Sequence, residues 1–329
     1  MPNVQAIWRG VDRHLVSLGA AILVLALVLC VVAPGFASVT TLYDMALALL
    51  PLLILALGLM FVLLVAAIDL SITATVAMTS VIAASLITRN GGYLSGELGI
   101  VIAFVSFILV GALIGLANGA MAAYVRMPSF MATLGTYLLL GGAAVWYTSL
   151  HTSSSSIAGL PGAFSVVGRG SVGPFPIALL IAAAVTALAW LLVNRTAFGR
   201  WLAAVGSGQE AALVAGVPVQ FTILGAFVIC GVCAGVASII LTARIETGSP
   251  VLASNMLLDV VGAAVIGGVS LYGGVGKIGG VILGVLLLTM LDVGLRLMGM
   301  SLFAVLTVKG LVIVLAAAID GLRNRMARR

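Results

Sequence analysis

The sequence predicts an all-α, polytopic membrane protein of about ten transmembrane helices with both termini cytoplasmic. Composition is the first ground. Hydrophobic residues make up 63 % of the 329 and charged residues 7 %, against about 45–50 % and 25 % in soluble domains. No soluble core of this size hides so much apolar surface, so lipid must be the solvent. The second ground is patterning: the apolar residues fall in charge-poor runs, most long enough for a hydrocarbon core of about 30 Å at about 1.5 Å per residue. Such runs must be helical, because unpaired backbone cannot face lipid. The third is charge. The formal charge of +6 comes from 15 scattered basic residues; they form no face for nucleic acid and act better as orientation signals in loops.

The runs can be taken in order. Before the break described below they are about 15–33, 45–68, 70–88, 98–125, 127–150 and 174–193, and after it about 221–243, 251–270, 278–295 and 303–319. Arg9 and Arg13 precede the first, and Gly35-Phe36-Ala37 looks like a small-x-small cleavage site. The run is nearly long enough to span, and we read it as a retained first helix. With Arg9, Arg13, Arg323, Arg325, Arg328 and Arg329 inside, ten crossings also place Arg126, Arg195, Arg200 and Lys277 inside. Arg89, Arg169, Arg244 and Arg296 are left outside. The Gly-rich stretches near Asp69 and at 251–270 are short enough to be broken or re-entrant. The whole chain, 1–329, is expected to be one transmembrane domain with an external loop at 151–173 and a cytoplasmic segment at 195–220. The external loop, with Ser153–Ser156 and several glycines, is either a flexible linker or a docking surface.

Side chains that could carry chemistry are few. Cys230 and Cys233 form a C-x-x-C inside an apolar run, Cys30 sits in another, and none has polar company, so burial is the expectation. His14 and His151 have no catalytic or metal-binding spacing and read as loop or interfacial histidines. Asp69, followed by Ser71, Thr73 and Thr75, looks like a helix N-cap or a break between half-helices. Asp259 and Lys309 each interrupt an apolar run, which costs about 2.5–3.5 kcal/mol per unpaired charge. Mutual pairing or a snorkelling place at an interface recovers this; lining a pathway is the other use. Asp292 and Arg296 are spaced to pair on one helical face. Asn118 and Tyr137 join Asp69, Ser71, Asp259 and Lys309 as candidate pathway or gating residues. Small residues at helical spacing (Gly111, Gly115, Gly119; Gly231, Gly235; Gly280, Gly284) suit close helix packing.

Gly273-Gly274-Val275-Gly276-Lys277 is no phosphate loop, because Leu271 stands where the first glycine belongs and Ile278 where Ser or Thr would hold Mg²⁺. The chain therefore borrows any energy of hydrolysis. The place to borrow it is Arg195–Gly216, a basic, helix-forming interruption between the sixth and seventh runs. It is expected to break at Gly206-Ser207-Gly208, with Ser207 or Gln209 capping a second short helix, Glu210 in its first turn and Gly216-Val217-Pro218 ending it.

Together these motifs resemble the permease subunits of bacterial ABC importers for ribose and related monosaccharides. The resemblance runs from about Leu47 to the end. It rests on Ile68-Asp69-Leu70-Ser71, Met127-Pro128-Ser129-Phe130-Met131-Ala132-Thr133-Leu134-Gly135, Arg195-Thr196-x-x-Gly199-Arg200 and Ala204-Val205-Gly206. It rests also on Glu210-Ala211-Ala212-x-x-x-Gly216-Val217, Ala264-Val265-Ile266-Gly267-Gly268-x-Ser270-Leu271-x-Gly273-Gly274 and Lys309-Gly310. It implies an alternating-access permease of the inner membrane, with Arg200, Glu210, Ala211, Ala212 and Gly216 in a coupling helix that docks on an ATP-binding subunit. It implies ATP and Mg on that partner and no cofactor on this chain, a second permease subunit, and a periplasmic sugar-binding protein. Two departures stand out: Ala66-Ala67 where Gly-Gly is usual, and Ile72-Thr73-Ala74 where Val-Gly is common. The cargo is expected to be a monosaccharide or small polyol. Alternatives are a branched-chain amino acid, a nucleoside or a sugar-derived signal, and, in a different class, an ion-coupled secondary transporter.

Overall fold

The computed structural model describes residues 4–327, with side chains described for 14–315; the notional inside charges Arg9, Arg13, Arg323, Arg325, Arg328 and Arg329 lie outside the described side chains. Among the described residues the fold is helical apart from four two-residue strands. The helices are α1 (Val4–Val32), α2 (Val39–Leu64), α3 (Ile72–Ile87), α4 (Gly96–Ala123), α5 (Ser129–His151), α6 (Gly162–Arg169) and α7 (Ile177–Arg195). They continue as α8 (Ala197–Ser207), α9 (Gln209–Val214), α10 (Val219–Ile245), α11 (Leu257–Ile266), α12 (Ile278–Leu297) and α13 (Leu302–Ala327). Helices α1, α2, α4, α5, α7, α10 and α12 are long and apolar enough to cross a membrane, while α3 and α11 are apolar but shorter. Together with α13 these ten coincide with the ten expected runs. The two short ones are the two that the glycine and polar content marked as doubtful.

Helix α2 is the buried axis of the bundle. From Leu50 to Leu64 every residue is buried, including Pro51 within the helix, whereas α1, α4, α5 and α7 turn wide apolar faces outward. Outward-facing leucine and valine are what lipid contact requires. Cohesion must then come from close packing, since lipid offers no drive to bury apolar groups further. The α4–α10 pair shows how. A Cβ on Gly111 would run into the Gly231 carbonyl, one on Gly115 into that of Phe227, and one on Gly235 into that of Phe107. The same device joins α11 to α12, where Gly280 abuts Gly267 and Gly284 abuts Ala263. Buried hydroxyls add direct bonds between helices: Ser80 to Thr242 at 2.7 Å, and Ser238 to the Val76 carbonyl at 2.8 Å.

Charge positions agree with the expected parity. Arg126 shares a cleft with Glu210, and the loop preceding Lys277 touches α8, so these lie at the α8–α9 end. Arg89, Arg169 and Arg244 gather at the other end, where Arg89 N–H bonds Gly159 and Arg169 pairs with Glu246 at 2.9 Å. The loop at 151–173, at this end, is ordered. Strand β1 (Ile157–Ala158) pairs antiparallel with β4 (Thr247–Gly248), and β2 (Ser171–Val172) with β3 (Phe175–Pro176). Helix α6 plants a buried Phe164 against Phe104 and Phe107. That anchor fixes α6 to the bundle, while Ser153, Ser154 and Ser155 stay exposed.

Candidate functional site

The α8–α9 hairpin stands out from the bundle, and its sequence divides into supports and surface. Thr196 caps α8: its hydroxyl accepts the Gly199 N–H at 3.4 Å and donates to the Leu192 carbonyl at 2.6 Å. Gly199 lies against the Val193 backbone with no room for a Cβ. Leu202 and Val205 are buried in the main core, which fixes the rotation of α8. The expected break at Gly206-Ser207-Gly208 is present and narrower: α8 runs through Ser207, and only Gly208 separates it from α9. The expected cap is corrected. Gly208 occupies the cap position without a side-chain bond, and the Ser207 hydroxyl instead donates back to the Ala203 carbonyl at 2.8 Å. Gly216 ends α9 as anticipated, with φ +79°. Its N–H bonds Leu213 and the Val217 N–H bonds Ala212, both at 3.0 Å, the paired closure of a Schellman turn. In α9 Ala212 is buried, whereas Glu210, Ala211, Leu213 and Val214 are exposed, as is Arg200 on α8; Val214 is 90 % exposed.

Gly206 has a different use from breaking a helix. A Cβ there would overlap the Leu64 carbonyl and the Gly274 nitrogen, and would sit 3.0 Å from the Gly273 carbonyl carbon. The Gly274 N–H in turn donates to the Leu64 carbonyl at 2.9 Å. Three segments far apart in sequence thus meet backbone to backbone: the end of α2, the end of α8 and the Gly-rich loop after α11. Two of the quoted motifs, Ala204-Val205-Gly206 and Ser270-Leu271-x-Gly273-Gly274, are the two halves of this junction.

Immediately beyond Leu64 the chain is non-helical until α3. Ala66 sits in the left-handed region at φ +58°, a conformation glycine takes without the penalty a Cβ brings. This is one of the two positions where the chain departs from the usual Gly-Gly. The break is held by α5: the Ile68 N–H donates to Ser129 Oγ and the Ile68 carbonyl accepts from Thr133 Oγ1, both at 3.1 Å. Asp69, expected as an N-cap or a break, belongs to the break. Ser71 occupies the cap position of α3, and Asp69 Oδ1 accepts both the Ser71 N–H (2.9 Å) and the Ser71 hydroxyl (2.6 Å). The Ser71 hydroxyl receives Asn118 Nδ2 at 2.7 Å, and Asn118 Oδ1 receives Thr136 at 2.7 Å. Asp69, Ser71 and Asn118 are buried together, linking α3, α4 and α5. Tyr137 lies half-buried one residue beyond Thr136. Cys230 faces Asp69 from α10, and Cys230 and Cys233 pack on Gly58 of α2 as small apolar residues.

A cleft of about 700 Å³ lies between the break and the hairpin, walled by Ala66, Ala67, Arg126, Ser129, Glu210 and Leu213. The exposed helix α9 and the start of the break therefore border one space. Sequence reading missed Ser129 and Thr133 as anchors of the break, although both lie in a quoted motif. A hydroxyl four residues from another at a helix start was the available signal.

Asp259 and Lys309 are brought together, with Nζ 2.6 Å from Asp259 Oδ2 and 3.0 Å from Asp292 Oδ1, and Arg296 pairs with Asp292 at 2.8 Å. The network ties α11, α12 and α13. His14 binds the Ile266 carbonyl at the end of α11 at 3.0 Å, and His151 packs and bonds with Tyr93. Both are structural histidines.

A lipid-facing bundle carrying a rigid, capped helix pair at one end, wired by backbone contact to a break in its most buried region, is built as a transport subunit. The model for the family described as "Branched-chain amino acid transport system / permease component" matches residues 41–317, and the chain belongs to that family. Among curated relatives it is 32 % identical over 303 residues to the ribose import permease protein RbsC of Escherichia coli strain K12, covering 91 % of each chain. It is 35 % identical over 283 residues to the galactose/methyl galactoside import permease protein MglC of Haemophilus influenzae, covering 82 % of this chain and 83 % of that one. The D-allose transport system permease protein AlsC of Escherichia coli is 31 % identical over 272 residues, 83 % of this chain and 80 % of the relative.

Proposed function

We propose that this chain is the permease subunit of an ATP-driven importer in the bacterial inner membrane, and that it passes a monosaccharide or closely related polyol by alternating access. The observation that carries this is the junction of Gly206 with Leu64 and Gly274, next to the α9 cleft. It gives a hairpin at the membrane edge a stiff path into the break at 65–71. In this reading Arg200, Glu210, Ala211 and the exposed Leu213 and Val214 meet an ATP-binding partner, which holds ATP and Mg. Buried Ala212 and left-handed Gly216 fix how α9 is presented.

Closure of the partner moves α8 and α9, and backbone contact carries that movement to the end of α2. The hydroxyls of Ser129 and Thr133 and the Asp69–Ser71–Asn118 chain hold the break in the present state. A second permease subunit completes the translocation unit, and a periplasmic binding protein delivers the solute at the opposite end. Sugar is preferred over a branched-chain amino acid because sugar permeases are among the relatives most alike in length and sequence.

The test is reconstitution. Proteoliposomes holding this chain, its ATP-binding subunit and its binding protein should take up labelled sugar only with ATP inside. Uptake by this chain alone would overturn the reading. Glu210→Ala and Gly216→Val should weaken association with the ATP-binding subunit or uncouple its hydrolysis; unchanged transport in both would remove α9 from the mechanism.

A further inference from the structure

The cleft beside α9 carries opposite charges on its walls. Arg126 and Glu210 both line it, yet neither forms an ion pair, with the other or with any other described residue. Both are exposed, and Gln209 and Gln220 line the same space. About 700 Å³ holds several side chains. Its two charges are complementary to a dipolar occupant, with a carboxylate for Arg126 and a donor or cation for Glu210. Glu210 disfavours a phosphate or an anionic lipid headgroup in the same space, because like charges brought together repel. The cleft is also continuous with α9, whose Glu210 and Leu213 form part of its wall.

The backbone at Arg126 supplies a second observation. Its φ is +59°, in the left-handed region that a residue with a Cβ enters only at a cost. It stands at the closure of α4, where the Met127 N–H reaches back to the Met121 carbonyl at 3.1 Å, the long bond of a Schellman turn. Glycine is the usual residue at that point; here an arginine holds it and puts a guanidinium at the mouth of the cleft. Only Met127 and Pro128 then stand between Arg126 and Ser129, and the proline fixes φ at the entry to α5. Ser129 Oγ accepts the Ile68 N–H at 3.1 Å, and Ala66 and Ala67 line the same cleft. A load on Arg126 therefore reaches the break over a short, restrained connector, by a route separate from the Gly206 junction.

We propose that the ATP-binding subunit holds the permease at two points, α9 and Arg126, with an acidic side chain of that subunit seated in the cleft on the Arg126 guanidinium. The assignment rests on the permease reading above and adds a second contact and the chemistry of the group that makes it. Movement of the partner then acts on the break through Ser129 as well as through Gly206, and both contacts must move together for the break to change.

The experiment uses the full chain assembled with its ATP-binding subunit in membrane vesicles. A photo-activated benzophenone side chain replaces one residue at a time: Arg126, Val214 on the exposed face of α9, or Leu138, exposed midway along α5. Illumination should link positions 126 and 214 to the ATP-binding subunit and leave position 138 unlinked to it. Linkage at 214 with none at 126, or linkage from 126 only to lipid or to a second permease copy, would overturn the proposal. Absence of linkage at 214 as well would mark failure of the permease reading itself. Arg126→Gly gives an independent readout, since glycine suits the left-handed turn and removes only the side chain. Its unfolding midpoint should be no lower than the parent's, while affinity for the ATP-binding subunit falls at least about tenfold and becomes less sensitive to added salt. Arg126→Lys should recover part of that affinity, because the charge remains while the guanidinium fork is lost. Unchanged affinity and salt response in Arg126→Gly would overturn the proposal.

Discussion

Lys309→Met is the substitution whose consequence the structure fixes most closely. Lys309 is nearly buried and bridges Asp259 at 2.6 Å and Asp292 at 3.0 Å. Removing it affects the two carboxylates unequally. Asp292 keeps Arg296 at 2.8 Å, whereas the ion-pair partner of Asp259 among the described residues is Lys309. The single variant therefore strands one poorly solvated carboxylate, and breaking a buried pair in this way costs about 3–5 kcal/mol. Replacing both partners removes the stranded charge: Lys309→Met with Asp259→Asn should return to within about 1 kcal/mol of the parent, since apolar or neutral replacement of a whole buried pair is often neutral. The resulting coupling is about 2–4 kcal/mol, far above the few tenths expected of independent sites. Asp292→Asn should be milder than Lys309→Met, because Lys309 keeps Asp259 and the exposed Arg296 pair is worth about 1 kcal/mol or less. The assay is a double-mutant cycle of unfolding midpoints in one detergent. A double variant as unstable as the sum of the two singles would refute the pairing and its role in tying α11 to α13.

Ala66→Gly should stabilise the chain by about 0.5–1 kcal/mol, because a Cβ in the left-handed region costs about 1–2 kcal/mol and glycine gives back part of that in chain entropy; a lowered midpoint in the same unfolding assay would argue against the strained turn. Ser129→Ala combined with Thr133→Val leaves both polar groups of Ile68 without side-chain partners, at about 1–3 kcal/mol each. Faster proteolysis or hydrogen exchange at residues 65–71, with little change in α10, is the expected signature. Gly231→Leu drives a side chain into the Gly111 backbone and should prevent a stable α4–α10 pair, read as loss of monodisperse protein in gel filtration; Gly279→Ala, with open space around it, is the matched control and should be silent.

Much of this architecture was legible because lipid simplifies the sequence. Ten charge-poor runs became ten helices, and arginine parity separated the two ends before any contact was known. Cost offered the Asp259–Lys309 pair as one reading beside an interfacial place or a pathway role, and the structure shows the pair. The small-residue faces of α4 and α10 were legible for a similar reason, since glycine at helical spacing has few other uses in a bilayer. What stayed hidden was long-range backbone contact. Gly206 looked like a helix breaker because local propensity cannot register that Leu64 and Gly274 press on it from segments over 60 residues away in either direction. The anchoring of the loop at 151–173 rests on partners distant in sequence: Phe164 on Phe104 and Phe107, and Ile157–Ala158 on Thr247–Gly248. Ser129 and Thr133 looked like ordinary polar residues at a helix start, and their role exists only because Ile68 arrives with unsatisfied backbone groups.

The most direct test of the coupling account is to measure ATP hydrolysis and sugar uptake on the same proteoliposomes carrying Gly206→Val. The bulk of the new side chain falls between α8, Leu64 and Gly274, while the exposed face of α9 is untouched. The account predicts that the ATP-binding subunit still binds and hydrolyses ATP while uptake per ATP falls severalfold or more. Uptake that stays in proportion to hydrolysis would contradict it, and would mean that the path from hairpin to break runs elsewhere.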